Sequence, residues 1–266
     1  MSNTTSKSIQ IFRAIRIVLH IISGLLQSAI YPHISQLSQK RMAKNWSTGL
    51  LAILSVKLRS SRGTPPIDQN RPIMLVANHI SWLDIYALMT VCPSRFVAKA
   101  EIRNWPLLGW LSKNVGTLFI ERRKIADIIR INQDISNALT SGDCVAIFPE
   151  GTTSDGTTVK KFHASLLQSA VNTKASIYPI AIRYHDTSGE ISKEAVYVGI
   201  SLLESIKAIL RQPWIEVELI FSDPIKITEQ NRQELARNSQ QVITNVLYPE
   251  ISLHKVPEKF SGLPAE

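Results

Sequence analysis

The stretch Ile73-Met74-Leu75-Val76-Ala77-Asn78-His79-Ile80-Ser81-Trp82-Leu83-Asp84 changes character in its middle. Its first five residues form a short, continuous apolar run behind Pro72, the pattern of a strand covered on both faces. Beyond the polar break, Leu83-Asp84-Ile85-Tyr86-Ala87-Leu88-Met89 reads as the opening of a helix. A buried strand that turns straight into a helix is the repeating unit of an α/β sheet. Five helical residues turn through about 500°, so His79 and Asp84 cannot meet on one helix face. They meet only if His79 lies in the turn and Asp84 in the first helical turn. There the carboxylate accepts from one imidazole nitrogen and leaves the other free to take a proton. A structural reading uses the same residues: Ser81 and Asp84 have the spacing of a capping box.

Outward from this stretch, strands and helices alternate. Strands are expected at 56–59, 73–78, 95–99, 116–121, 144–148, 176–184, 195–199 and 215–221. Helices are expected at 83–91, 105–113, 125–140, 164–172, 201–210 and 230–247. The pattern implies an α/β fold, a mixed central sheet flanked by helices. The division expected is a basic, apolar membrane-association segment at 1–62, a main domain at 63–250 and a tail at 251–266. Gly63, Pro65 and Pro66 mark the joint.

Charge sets the first segment apart. Residues 1–67 carry Lys7, Arg13, Arg16, Lys40, Arg41, Lys44, Lys57, Arg59 and Arg62 without an Asp or Glu, so they hold the whole formal +9. Residues 1–10 are polar and expected to fray. Across 11–30, Arg13, Arg16, His20, Ser23 and Gln27 recur at spacings of 3 and 4, a narrow polar stripe on a wide apolar helix. With a second helix at 34–54 beyond Pro32, this suits a pair lying on an anionic bilayer, Trp46 at headgroup level. The alternative is a helix packed on its own domain. Nucleic acid is not an expected partner, because aromatic platforms are not interleaved with the charges. Cys92 and Cys144 form no metal spacing or disulfide framework.

Three further segments carry chemistry. The strand 116–121 runs into Arg122, a planar fork suited to phosphate. Phe148-Pro149-Glu150-Gly151-Thr152-Thr153 leaves a strand in a turn where glycine admits close approach and successive amides suit an anion or oxyanion; Glu150 is placed there to orient a hydroxyl or brace a basic residue. Pro179 interrupts an apolar strand, which is allowed at an edge or a bulge.

Taken together, Asn78-His79 with Asp84, Phe119-Ile120-Glu121-Arg122, Phe148-Pro149-Glu150-Gly151-Thr152 and Ile177-Tyr178-Pro179-Ile180 resemble the four blocks of the glycerolipid acyltransferases, 1-acylglycerol-3-phosphate acyltransferases among them. The likeness spans about 70–185. It implies transfer of a fatty acyl group from acyl-CoA or acyl-carrier protein to a lysolipid hydroxyl, most directly lysophosphatidate to phosphatidate. His79 and Asp84 are then the catalytic pair, and Arg122, Glu150, Gly151 and Thr152 hold the acceptor. The resemblance implies no cofactor and no metal, and a peripheral or monotopic place on the cytoplasmic face of a membrane, the inner membrane if the source is bacterial. Many members carry arginine where this chain has Thr153. Thr152-Thr153-Ser154-Asp155-Gly156 is similar to relatives that acylate lyso-ornithine lipid, the alternative acceptor. The non-enzyme alternative is a membrane-surface lipid-binding module.

Overall fold

The structure, a computed structural model, describes residues 4–61, 72–121 and 124–250. Arg122, the joint at 62–71 and the tail at 251–266 lie outside the described residues. Among the described residues, seven strands, β1 (Val56–Ser61), β2 (Ile73–Ala77), β3 (Arg95–Lys99), β4 (Leu118–Ile120), β5 (Cys144–Ile147), β6 (Ser176–His185) and β7 (Ile215–Phe221), form one sheet in the order β1-β7-β6-β2-β5-β3-β4. β2 to β6 run parallel, β7 is antiparallel to β6, and β1 follows β7, so the sheet is mixed.

Helices cover both faces: α1 (Lys7–Ile30), α2 (Gln36–Ile53), α3 (Leu83–Val91), α4 (Leu108–Asn114), α5 (Ile125–Thr140), α6 (Gln168–Thr173), α7 (Leu202–Arg211) and α8 (Arg232–Leu247). The period of two along β2 splits its side chains between two cores. Ile73, Leu75 and Ala77 pack with α2, α3 and α7, while Met74 and Val76 pack with α5, α6 and α8. Burying each Leu or Ile contributes about 1.5–3 kcal/mol, which explains why an uninterrupted apolar run belongs at the sheet centre. α2 and its C-cap supply Leu50, Leu51, Ile53 and Leu54 to the first of these cores, and β1 pairs with β7, so residues 36–61 share the fold of the segment that follows. Cys92 and Cys144, distant in sequence, lie in that core as free thiols with Sγ atoms 3.4 Å apart.

Several expectations are corrected. Residues 4–10 are not frayed. The Ser6 hydroxyl accepts from Ile9 N, α1 starts at Lys7, and the Thr5 hydroxyl donates to the Leu210 carbonyl at 2.8 Å. Residues 195–199 form no strand: Ala195 is buried and Tyr197 N donates to the Ile80 carbonyl at 3.0 Å, so this apolar run covers the β2–α3 turn instead of pairing. The helix expected at 164–172 is divided into a 3-10 turn, Ser165–Leu167, and α6. Pro179 sits in β6, inside the sheet and not at its edge. Ile180 pairs with Phe221, but Ile177 bridges Ile225, so three residues on one side advance four on the other. That one-residue offset is the bulge that accommodates the proline.

Apart from the exposed Arg16, the polar stripe of α1 turns inward. His20 Nε2 lies 2.8 Å from the Trp46 carbonyl, Trp46 Nε1 donates to the His20 carbonyl at 3.1 Å, and the two rings stack. Arg13 donates to the carbonyls of Gln212 and Pro213. Gly24 admits the Trp46 indole, since a Cβ there would stand 2.6 Å from Nε1. Trp46 therefore serves the α1–α2 seam. Ile11, Phe12, Ile15, Val18, Leu19, Ile22, Leu26 and Ile30 are left exposed along the outer face.

Candidate active site

β2 and β5 are adjacent parallel strands, so the turns that follow them meet at one end of the sheet. The Asn78 side chain extends β2 by one step: its amide donates to the Ile182 carbonyl at 2.9 Å and its oxygen accepts from Ile182 N at 2.7 Å. His79 then enters the turn and Asp84 the first turn of α3, the placement required for them to meet. Nδ1 of His79 lies 2.8 Å from Asp84 Oδ2. A carboxylate oxygen only accepts, so Nδ1 carries the hydrogen and Nε2 presents its lone pair. The histidine side chain keeps 18% exposure, whereas Asp84 has none. The capping reading is met in part: Asp84 Oδ2 accepts from Ile80 N and Ser81 N at 2.8 and 3.0 Å, but Ser81 Oγ accepts from Leu83 N and not from Asp84 N, so no full capping box forms.

His79 is fixed at every other point. Its N–H donates to Glu150 Oε1 at 2.8 Å, its carbonyl accepts from Ser154 N at 2.7 Å, and its ring stacks on Phe148 at 4.1 Å. Glu150 Oε2 accepts from Lys160 N at 3.2 Å. Both carboxylate oxygens of this buried residue thus accept from backbone amides, so Glu150 braces two loops. Burial pushes its carboxyl above the usual range, against the downward pull of those amides. Gly151 adopts φ +73°, the left-handed region that favours glycine, and its N–H donates to the Phe148 carbonyl at 3.0 Å. That amide closes the turn, so the expected use of it for an anion does not follow. Thr152 is exposed beside it. The Thr153 hydroxyl donates to the Tyr197 carbonyl, and Lys160 Nζ donates to the Thr153 carbonyl at 2.7 Å.

A half-buried histidine paired with a buried carboxylate, with one imidazole nitrogen open, is the equipment of a general base. The family model described as Acyltransferase matches residues 59–183. A lyso-ornithine lipid O-acyltransferase of Pseudomonas aeruginosa is 37% identical over 211 residues, 79% of this chain and 80% of that protein. The chain belongs to this acyltransferase family. A 1-acyl-sn-glycerol-3-phosphate acyltransferase of Neisseria meningitidis is 35% identical to this acyltransferase, over 69% of the chain and 71% of that protein. The crystal structure of a 1-acyl-sn-glycerophosphate acyltransferase from Thermotoga maritima matches with a TM-score of 0.67 and 18% identity, over 93% of this chain and 95% of that one, a likeness of fold.

Around the His79–Asp84 pair, the acyltransferase places residues that the sequence did not single out. Ser154 and Phe148 hold the backbone and ring of His79. From β6, Tyr184 donates its hydroxyl to Asp84 Oδ1 at 2.6 Å. A weak signal for Tyr184 was present: with Ile180 and Ile182 it occupies alternate positions of one apolar strand face, and a buried phenol usually has a partner.

Proposed function

We propose that this acyltransferase moves a fatty acyl group from a thioester, acyl-CoA or acyl-carrier protein, to the free hydroxyl of a lysolipid, and that 1-acylglycerol-3-phosphate is the leading acceptor. The observation that carries the reading is the His79 ring, held through Nδ1 by Asp84 with Nε2 open. Nε2 takes the hydroxyl proton as the acceptor oxygen attacks the thioester carbonyl carbon. Asp84 steadies the imidazolium. The tetrahedral adduct collapses, the carbon–sulfur bond breaks, and the departing sulfur takes the proton back from Nε2. The acceptor brings its own nucleophile, so neither an acyl-enzyme nor a cofactor is required. Arg122 and the exposed Thr152 are the groups assigned to the headgroup, joined by Lys160, whose ammonium is held at the Thr153 carbonyl.

Lyso-ornithine lipid is the second reading, favoured by Thr153. Its hydroxyl is spent on the Tyr197 carbonyl where many relatives present an arginine. Asp155 follows on the same turn, its carboxyl held low by the Thr157 hydrogen bonds and, less, by the Lys160 charge. One cation beside one carboxylate suits a headgroup of both signs.

The enzyme works on a membrane surface, in a peripheral or monotopic manner on the cytoplasmic face. The exposed apolar face of α1 and the basic segment without carboxylates support this. Among the described residues, 7–33 form one helix long and apolar enough to cross a membrane, with mean hydropathy 1.7. The test is acyl transfer by the purified protein to lysophosphatidate and to lyso-ornithine lipid side by side, with both donors. Faster turnover of lysophosphatidate upholds the leading acceptor, preference for lyso-ornithine lipid replaces it, and no transfer to either overturns the function.

A further inference from the structure

Asp84 divides its two oxygens unequally. Oδ2 serves three donors from its own turn, His79 Nδ1, Ile80 N and Ser81 N. Oδ1 accepts from the Tyr184 hydroxyl at 2.6 Å, a donor that reaches it from β6, 100 residues along the chain. We propose that Tyr184 is a positioning residue for the proton transfer: its hydroxyl holds the Asp84 carboxylate aimed at His79 Nδ1, and so sets how strongly Nε2 takes the proton. This rests on the general-base role proposed for His79.

Tyr184 is suited to the task. It is fully buried in the core between β6 and α3, and burial, with the neighbouring Asp84 charge, holds its phenol well above the usual range. It therefore remains a donor at any pH at which the protein works. Among the described residues, the ionisable groups tied to it by hydrogen bonds are Asp84 on α3, directly, and His79 in the β2–α3 turn, through Asp84. β7 presents Val217 opposite Tyr184.

The direction of the effect follows from the charges. Without the hydroxyl, the buried carboxylate loses a stabilising donor. The loss is greatest when the imidazole is neutral, because an imidazolium compensates the carboxylate from the other side. The pair therefore binds its proton more tightly, and the acid limb of kcat/KM moves to higher pH.

The experiment is the pH profile of kcat/KM for wild type and Tyr184→Phe, with thermal unfolding alongside and His79→Ala as the reference. The expected result is an acid limb raised by roughly one pH unit. Placing 3-fluorotyrosine at position 184 strengthens the donor at the cost of one added fluorine, and is expected to move the limb the other way. A limb that stays put in both proteins overturns the inference, whatever the melting temperature does, because a purely structural tyrosine would change stability alone. The fluorinated protein decides the matter if Tyr184→Phe does not fold. Undiminished transfer by His79→Ala overturns the general-base reading and this inference with it, whereas an inactive His79→Ala with an unmoved limb removes Tyr184 alone.

Discussion

At the scale of single residues, Asp84 is both a helix-start acceptor and the partner of an imidazole. One oxygen takes the Ile80 and Ser81 amides together with His79 Nδ1, so the two readings of this stretch are one arrangement. Asp84→Asn must present an NH2 group to donors at one of these positions. It is expected to destabilise the fold by about 2–4 kcal/mol, read from urea unfolding, and to reduce kcat about a hundredfold or more. That His79 and Asp84 meet was legible because five residues of strand exit and helix start allow a single geometry. The bracing by Glu150, Ser154 and Tyr184 was not, since those residues are 71 to 100 positions from their partners and reach them only through strand order and register.

Among the elements, periodicity shows which residues share a face but not which way the face points. The stripe Arg13, Arg16, His20, Ser23 and Gln27 was readable; that His20 would lock onto Trp46, leaving the apolar face outside, depends on Gly24 and Gly49 letting two helices approach closely. Gly24→Val places branched carbon where a single Cβ would already stand 2.6 Å from the indole nitrogen. It is expected to cost about 1–3 kcal/mol by forcing the helices apart, seen as a lower melting temperature. The strands at β3 and β7 and the helices α3 and α5 were legible to the residue, because each is a run of one period between clear breaks. The apolar run at 195–199 has the composition of a strand, yet its neighbour is the turn carrying His79 and not a free sheet edge. Composition alone cannot distinguish those surroundings.

At the scale of the molecule, the sheet gathers the turns after β2 and β5 at one end, while α1 lays a continuous apolar face on the outside. Burying an exposed Leu or Ile contributes about 1.5–3 kcal/mol. Replacing Leu19 and Ile22 together by Glu is therefore expected to weaken binding to anionic vesicles more than tenfold, measured by co-sedimentation, without lowering the melting temperature. Binding by wild type is expected to fall as salt screens the basic segment. The central claim is that His79, armed by Asp84, takes the proton of a lysolipid hydroxyl. The most direct measurement is the initial rate of transfer from a labelled acyl thioester to lysolipid in vesicles, for wild type and for folded His79→Ala. A loss of about 10²–10⁴-fold is expected, the contribution of one positioned base, and a rate within a few-fold of wild type contradicts the account.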